Sequence, residues 1–244
     1  DTPDDPRAAG VHAAQLARDG AVAGLVRGGL SNEALLAPVA ASDSGLRTER
    51  RLSHAYYLDL PGHSHGYLLA DAHMNVTPNL AAKRDIVQNT IQLAHALGIA
   101  APKVALLAAM DGPAPAFPST TDAVALKAMA QQGFFPGALV DGPLAPDAAL
   151  SEEIARARNV ASPVAGQPDV LVGPSMESAL MVMRTLLVTG GLAAGLVLGA
   201  RVPIVAPMRH DSMEVRMASC VLATLLAAGH ATVAAQPGTH AVAA

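Results

Sequence analysis

Short apolar runs of Val, Leu and Ala recur along the chain, separated by stretches of ten to twenty residues with helical composition. This alternation produces βαβ units, and it restricts the chain to the α/β class. Strands are predicted at 23–26, 55–60, 67–71, 104–108, 138–141, 170–173, 195–198 and 202–206. Most are continuous apolar runs, the pattern of parallel strands covered on both faces. Helices are predicted between them at 6–18, 32–40, 78–97, 121–132, 146–158, 176–188 and 212–228. Thr77 before Pro78 reads as an N-cap followed by proline at the first helical position, and Asp211 with Glu214 has capping-box spacing. Gly98 and Gly229 read as the matching stops.

The 244 residues are 51% hydrophobic, 15% charged and 2% aromatic, with a net charge of −4. A chain of this length buries roughly 70% of its unfolded surface. An acidic balance with no Trp and few Tyr and Phe offers neither a basic footprint nor stacking platforms for nucleic acid. The uncharged stretch between Arg184 and Arg201 is Gly-rich and shorter than the ~18–20 apolar residues of a membrane span, so it reads as core. The single cysteine, Cys220, forms no internal disulfide and suits a reducing cytoplasm. The start at Asp1, without Met, is expected of a fragment, and the Ala-rich tail 231–244 is expected to fray.

Three loops carry candidate chemistry. Between the strand at 202–206 and the helix at 212–228, Arg209 stands beside a helix start, where unpaired N–H groups and the dipole attract an anion and a guanidinium adds a planar fork. An arginine so placed either binds an anion or pairs with Asp211 or a carbonyl. The stretch Val26-Arg-Gly-Gly-Leu-Ser-Asn-Glu33 puts Arg27 and Gly28 before a helix begun by Ser31 or Asn32, though no GxxxxGK[ST] or GxGxxG accompanies them. Pro118-Ser-Thr-Thr-Asp122 is a third helix start that exposes Ser119 and Thr120. Nine histidines include the pair His63 and His65, but two ligands in a Gly/Pro loop fall short of a zinc site, and no metal is expected. His54 and His210 lie near these loops as acid/base candidates.

Several ordered phrases resemble the phosphate acetyltransferase and phosphate butyryltransferase family, most closely its butyryl-type branch. They include Gly45-Leu-Arg-Thr, Arg51-Leu-Ser-His54, Asp71-Ala-His-Met-Asn75, Asp85-Ile-Val-Gln-Asn89, Leu93-Ala-His-Ala-Leu-Gly98, Asp141-Gly-Pro-Leu-Ala145, Ser162-Pro-Val-Ala-Gly166 and Val197-Leu-Gly-Ala-Arg-Val-Pro-Ile204. The resemblance runs from about Pro6 to Ala228. It implies an isocitrate-dehydrogenase-like fold of two α/β domains with the site in the cleft between them. Residues 1–66 and 201–244 would form a discontinuous first domain and 67–200 an inserted second, with 61–66 as a hinge. It also implies N-terminal truncation relative to the family, which carries a further leading strand and helix.

The implied reaction is reversible acyl transfer between CoA and inorganic phosphate, with no metal or redox cofactor, in a cytoplasmic homodimer or larger oligomer. Carried over by motif, Arg209, His210, Asp211 and Ser212 are the implied catalytic set, and Arg27, Gly28, Ser119, Thr120 and Glu177 the substrate-binding set. Four departures stand out. The branch's Thr-Ser-Arg-Ala-Asp-Ser reads Pro207-Met-Arg-His-Asp-Ser212 here, replacing the Ser before the Arg by Met208. The acetyl-type Asp base six residues after that Arg is Val215. Pro-Asp-x-Glu-Ala-Gly-Asn has become Pro174-Ser-Met-Glu-Ser-Ala-Leu180, which keeps Glu177, and Lys-Gly-x-x-His-Thr-Asp has become Arg27-Gly-Gly-Leu-Ser-Asn-Glu33. The resemblance therefore also admits an impaired paralogue that binds acyl-CoA or acyl phosphate without turnover. An NAD-linked hydroxyacid dehydrogenase of the same architecture is a weaker match, because no metal-binding carboxylate cluster is evident.

Overall fold

In the computed structural model, which describes residues 4–235, eight strands form one sheet. They are β1 (Leu25–Val26), β2 (Ser53–Asp59), β3 (Tyr67–Ala70), β4 (Lys103–Leu107), β5 (Leu139–Leu144), β6 (Val170–Val172), β7 (Leu192–Leu198) and β8 (Ile204–Val205). The order across the sheet is β1-β8-β7-β2-β3-β6-β4-β5. Every predicted strand is present. The expected parallel arrangement holds for β3-β6-β4-β5 and for β1-β8, but β2 runs antiparallel to both β3 and β7, and β7 antiparallel to β8. Connection length explains the β2–β3 and β7–β8 pairings. Residues 60–66 join β2 to β3 and 199–203 join β7 to β8, and neither segment holds the dozen residues a parallel crossover requires.

Eight helices cover the sheet: α1 (Pro6–Arg18), α2 (Asn32–Ala40), α3 (Leu80–Ala96), α4 (Pro118–Gln131), α5 (Pro146–Leu150), α6 (Glu152–Ala157), α7 (Met176–Leu187) and α8 (Met213–Ala235). Side-chain caps set the starts of several, while α4 and α5 begin at a proline without one. Asp5 accepts from the Ala8 N–H at 2.8 Å and Ser31 from the Ala34 N–H at 3.1 Å. The third helix begins two residues later than predicted, because the Asn79 side chain, rather than Thr77, accepts from Ala82 N at 2.9 Å. Ser151 splits the helix predicted at 146–158, adopting extended backbone and capping α6 through the Ile154 N–H. Gly229 does not stop α8. It lies inside the helix, where an added Cβ would come within 3.2 Å of Ala96, so the glycine serves close packing of α8 on α3. Gly98 does take the left-handed conformation after α3, with φ +86. Residues 236–244 of the predicted tail lie outside the described residues.

Three apolar clusters stabilise the fold. One joins Ala55, Leu68 and Val170 to Ile86, Leu126 and Leu222 from α3, α4 and α8. The second, on the other face, joins Tyr56, Leu69 and Leu171 to Ala148, Ala155 and Met183 from α5, α6 and α7. The third packs α1 and α2 on β1, β8 and Val197. The sheet is thus covered on both faces, as the uninterrupted apolar strands require.

Candidate functional site

The loop between β8 and α8 is held by its own side chains. The Asp211 carboxylate accepts from the Met208 N–H at 2.7 Å, and the Asp211 N–H donates to the Met208 carbonyl at 3.2 Å. Arg216, one turn into α8, reaches back to the carbonyls of Asp211, Met208 and Arg209 at 3.1, 3.3 and 3.1 Å. Ser212 caps α8 by accepting from the Val215 N–H at 3.2 Å, the role predicted for Asp211. The Ser212 hydroxyl proton stays available for donation, because the cap uses only the oxygen as acceptor. Arg209 and His210 are exposed.

Arg27 follows β1, which pairs directly with β8. Its guanidinium donates to the Leu30 carbonyl at 2.9 Å and to the Pro207 carbonyl, and its buried Nε has no partner among the described residues. In this conformation Arg27 ties the β1 loop to the 207–212 loop instead of facing outward for an anion. Gly28 is exposed, and an added Cβ would meet nothing within 4 Å, so its backbone faces open space.

Of the trio that adjoins this loop, the sequence points to His54 as an acid/base candidate but not to Tyr56 or His73. His54 and Tyr56 project from the same face of β2, and His73 reaches them from the turn after β3. The Tyr56 hydroxyl lies 2.7 Å from His73 Nε2, and the His54 and His73 ring centroids are 5.0 Å apart, edge on. His54 is 4% exposed, and its Nδ1 has no partner among the described residues. Burial pushes its pKa down from 6.5 to about 3, with nearby His73 lowering it further, so the ring is neutral at physiological pH. Burial also lowers His73, while Asp71 and Asp211 favour its charged form and Arg184 opposes it. Burial raises the Tyr56 phenol, Asp211 adds to the rise and Arg184 counters it. Asp211 and Arg184 thus act electrostatically on this trio. The legible signal was a histidine and a tyrosine at i and i+2, a spacing that puts both on one face of a strand.

The remaining predicted residues are dispersed. Glu177 is exposed in the first turn of α7, where it complements the helix dipole. Thr120 is fully buried, its hydroxyl 2.8 Å from the carbonyls of Ala114 and Phe117 and accepting from the Ala114 N–H. In this conformation the hydroxyl closes the 114–117 turn. Neighbouring Ser119 is half-buried. Both sit at the start of α4, which packs on β4 and β5. Five strand spacings separate β8 from β4 in the sheet order, roughly 24 Å along a flat sheet. His63 and His65 do not form a pair: His63 meets the Tyr67 hydroxyl at 2.7 Å and His65 the Pro168 carbonyl at 3.4 Å. Among the described residues, no three His, Cys, Asp or Glu side chains gather around a common point, and no helix is long and apolar enough to cross a membrane.

The mixed eight-stranded sheet flanked by helices is a fold this chain shares with phosphotransacylases of known structure. The solved branched-chain phosphotransacylase from Enterococcus faecalis V583 superposes with a TM-score of 0.85 at 30% identity, over 92% of this chain and 81% of that one. The chain belongs to the family described as Phosphate acetyl/butaryl transferase, whose model matches residues 6–224. It is 46% identical over 222 residues to the phosphate acetyltransferase of Rhizobium meliloti, covering 91% of this chain and 70% of that protein. Against the phosphate butyryltransferase of Clostridium acetobutylicum it is 36% identical, covering 90% and 73%. The chain spans about two thirds of the length of the curated relatives it matches. Relatives named phosphate acetyltransferase and relatives named phosphate butyryltransferase both match over most of the chain.

Proposed function

We propose that the chain carries out reversible acyl transfer between CoA and inorganic phosphate, with the 207–212 loop at the centre of the site. The observation that carries this reading is the exposed Arg209 beside the capped start of α8, on a loop fixed by Asp211 and Arg216. Phosphate binds the Arg209 guanidinium bidentately and accepts from the Ser212 hydroxyl and the open backbone at Gly28. A phosphate oxygen attacks the thioester carbonyl, forming a C–O bond, and the C–S bond then breaks. The proton lost by phosphate passes through Asp211 or His210 to the departing thiolate, leaving acyl phosphate and free CoA thiol. CoA and phosphate are substrates here, and the reading invokes no metal or redox cofactor.

A division into residues 1–66 with 201–244 and an inserted 67–200 would cut a single sheet in which β7 lies between β8 and β2, so the proposed site is placed on the 207–212 loop without it. The single cysteine is consistent with a cytoplasmic protein. Homodimerisation is supported by an apolar stripe at helical spacing on α8, where Met213, Met217, Val221 and Leu225 are all exposed.

A second reading is a binding protein that holds acyl-CoA or acyl phosphate without turnover. It is favoured by Met208, half-buried against the second apolar cluster, and by Val215, which puts no carboxylate on the first turn of α8 at that position. Thiol release from acetyl-, propionyl- and butyryl-CoA, with and without phosphate, separates the two. Phosphate-dependent release that is lost in Arg209→Ala supports the enzyme. Acyl-CoA binding without release supports the second reading.

A further inference from the structure

Two adjoining cavities run along residues 47–51 and share Glu49 and Arg50 as a common wall. One, of about 500 Å³, is lined by Arg47, Arg50 and Arg51. The other, of about 580 Å³, is walled by Phe134, Phe135 and Pro136. Three arginines therefore line one cavity, and most of the neighbouring carboxylate charge is committed elsewhere. Asp85 accepts from Arg84 at 2.8 Å through one oxygen and from the Arg51 backbone N–H at 3.1 Å through the other. Arg50 donates to the neutral Gln92 side chain at 2.6 Å. Arg47 and Arg51 are exposed, with no side-chain ion pair among the described residues, so Glu49 is the one wall carboxylate left to balance them. Burial lowers the Arg50 pKa from its usual value, with Asp85 opposing the drop. A cationic group held partly out of water gains from a bound anion.

The second cavity supplies a different surface. The chain has three phenylalanines, and two of them stand here, with Phe134 47% exposed beside Pro136. An exposed ring next to an arginine cluster is suited to stacking a planar heterocycle.

We propose that this groove binds a phosphorylated ligand carrying a planar ring, an adenine-nucleotide-type anion, with its phosphates on Arg47 and Arg51 and its ring on Phe134. The groove shares no lining residue with the 207–212 loop, so the inference stands whether or not that loop performs acyl transfer. A free nucleotide and the nucleotide end of CoA offer the same chemistry.

Isothermal titration of the full chain with ADP, adenosine 3′,5′-bisphosphate and inorganic phosphate tests the proposal. The variants are Arg47→Gln with Arg51→Gln, Phe134→Ala, and Arg209→Ala as a control; thermal melting verifies that each is folded. Saturable, salt-sensitive nucleotide binding is expected, weakened about tenfold or more by the arginine pair. Phe134→Ala should also weaken it, and Arg209→Ala should not. Competition by CoA identifies CoA as the source, and lack of competition identifies a free nucleotide; both outcomes support the groove. No saturable nucleotide binding, or equal affinity in the arginine variant, overturns the proposal. In Arg209→Ala, which lacks the phosphate site proposed on the 207–212 loop, inorganic phosphate binding as tightly as ADP overturns the ring contact.

Discussion

His54 should make the protein acid-sensitive within a narrow and calculable window. In the unfolded chain the imidazole titrates near 6.5, and in the folded protein burial lowers it to about 3. Between those values the unfolded state binds a proton that the folded state rejects, so stability is full above about pH 6.5 and falls as pH drops toward the folded value. Each pH unit in that interval costs about 1.4 kcal/mol, so the step from pH 8 to pH 5 removes roughly 2 kcal/mol through this one ring. His54 is 4% exposed, which leaves little solvent screening to reduce the effect. His73 is shifted in the same direction and adds to the loss. Asp71, whose pKa burial raises, acts with the opposite sign. Urea denaturation at pH 8, 7, 6 and 5 measures the slope in wild type and in His54→Gln, which retains a polar group but does not titrate. The variant should lose roughly 2 kcal/mol less than wild type over that range. Equal losses in both proteins would refute the neutral, buried assignment of His54.

Other consequences can be checked separately. Met208→Ser restores a hydroxyl beside Arg209 while leaving the backbone bond to Asp211, and should raise phosphate-dependent kcat by about 10²–10³ if that hydroxyl meets the transition state; an unchanged kcat in steady-state assays argues against it. Arg27→Gln removes a guanidinium that bonds the Leu30 and Pro207 carbonyls. It should cost about 1.5–3 kcal/mol in urea denaturation and raise KM for phosphate as the loop loosens, whereas unchanged stability and KM contradict the tie. Light scattering after size exclusion should report a homodimer, and Met217→Glu, on the exposed stripe of α8, should shift it to monomer; an unaltered dimer places the interface elsewhere.

Much of the fold is legible in local chemistry. The bounds of α1 and α2 follow from Asp5 before Pro6 and from Ser31, since a cap acts within three residues of itself. Strand positions follow from apolar runs for the same reason. Strand direction is a property of pairs, and composition does not encode it, but connection length bears on it: 60–66 and 199–203 are too short for a crossover and force the antiparallel pairings β2–β3 and β7–β8.

The site divides along the same line. Arg209, His210, Asp211 and Ser212 share one loop, and Arg27 joins them because β1 pairs with β8. His54, Tyr56 and His73 meet only through the β2–β3 pairing, beyond the reach of any local motif. Thr120 shows the converse, because a hydroxyl at a helix start has the same sequence signature whether it binds a ligand or closes its own turn, and here it closes the turn.

The most direct test of acyl transfer to phosphate is ³¹P NMR of inorganic phosphate mixed with acyl-CoA and the protein. The account predicts an acyl phosphate resonance that grows in step with released thiol and is absent in Arg209→Ala. Thiol release without acyl phosphate, or an equal resonance from Arg209→Ala, would contradict it.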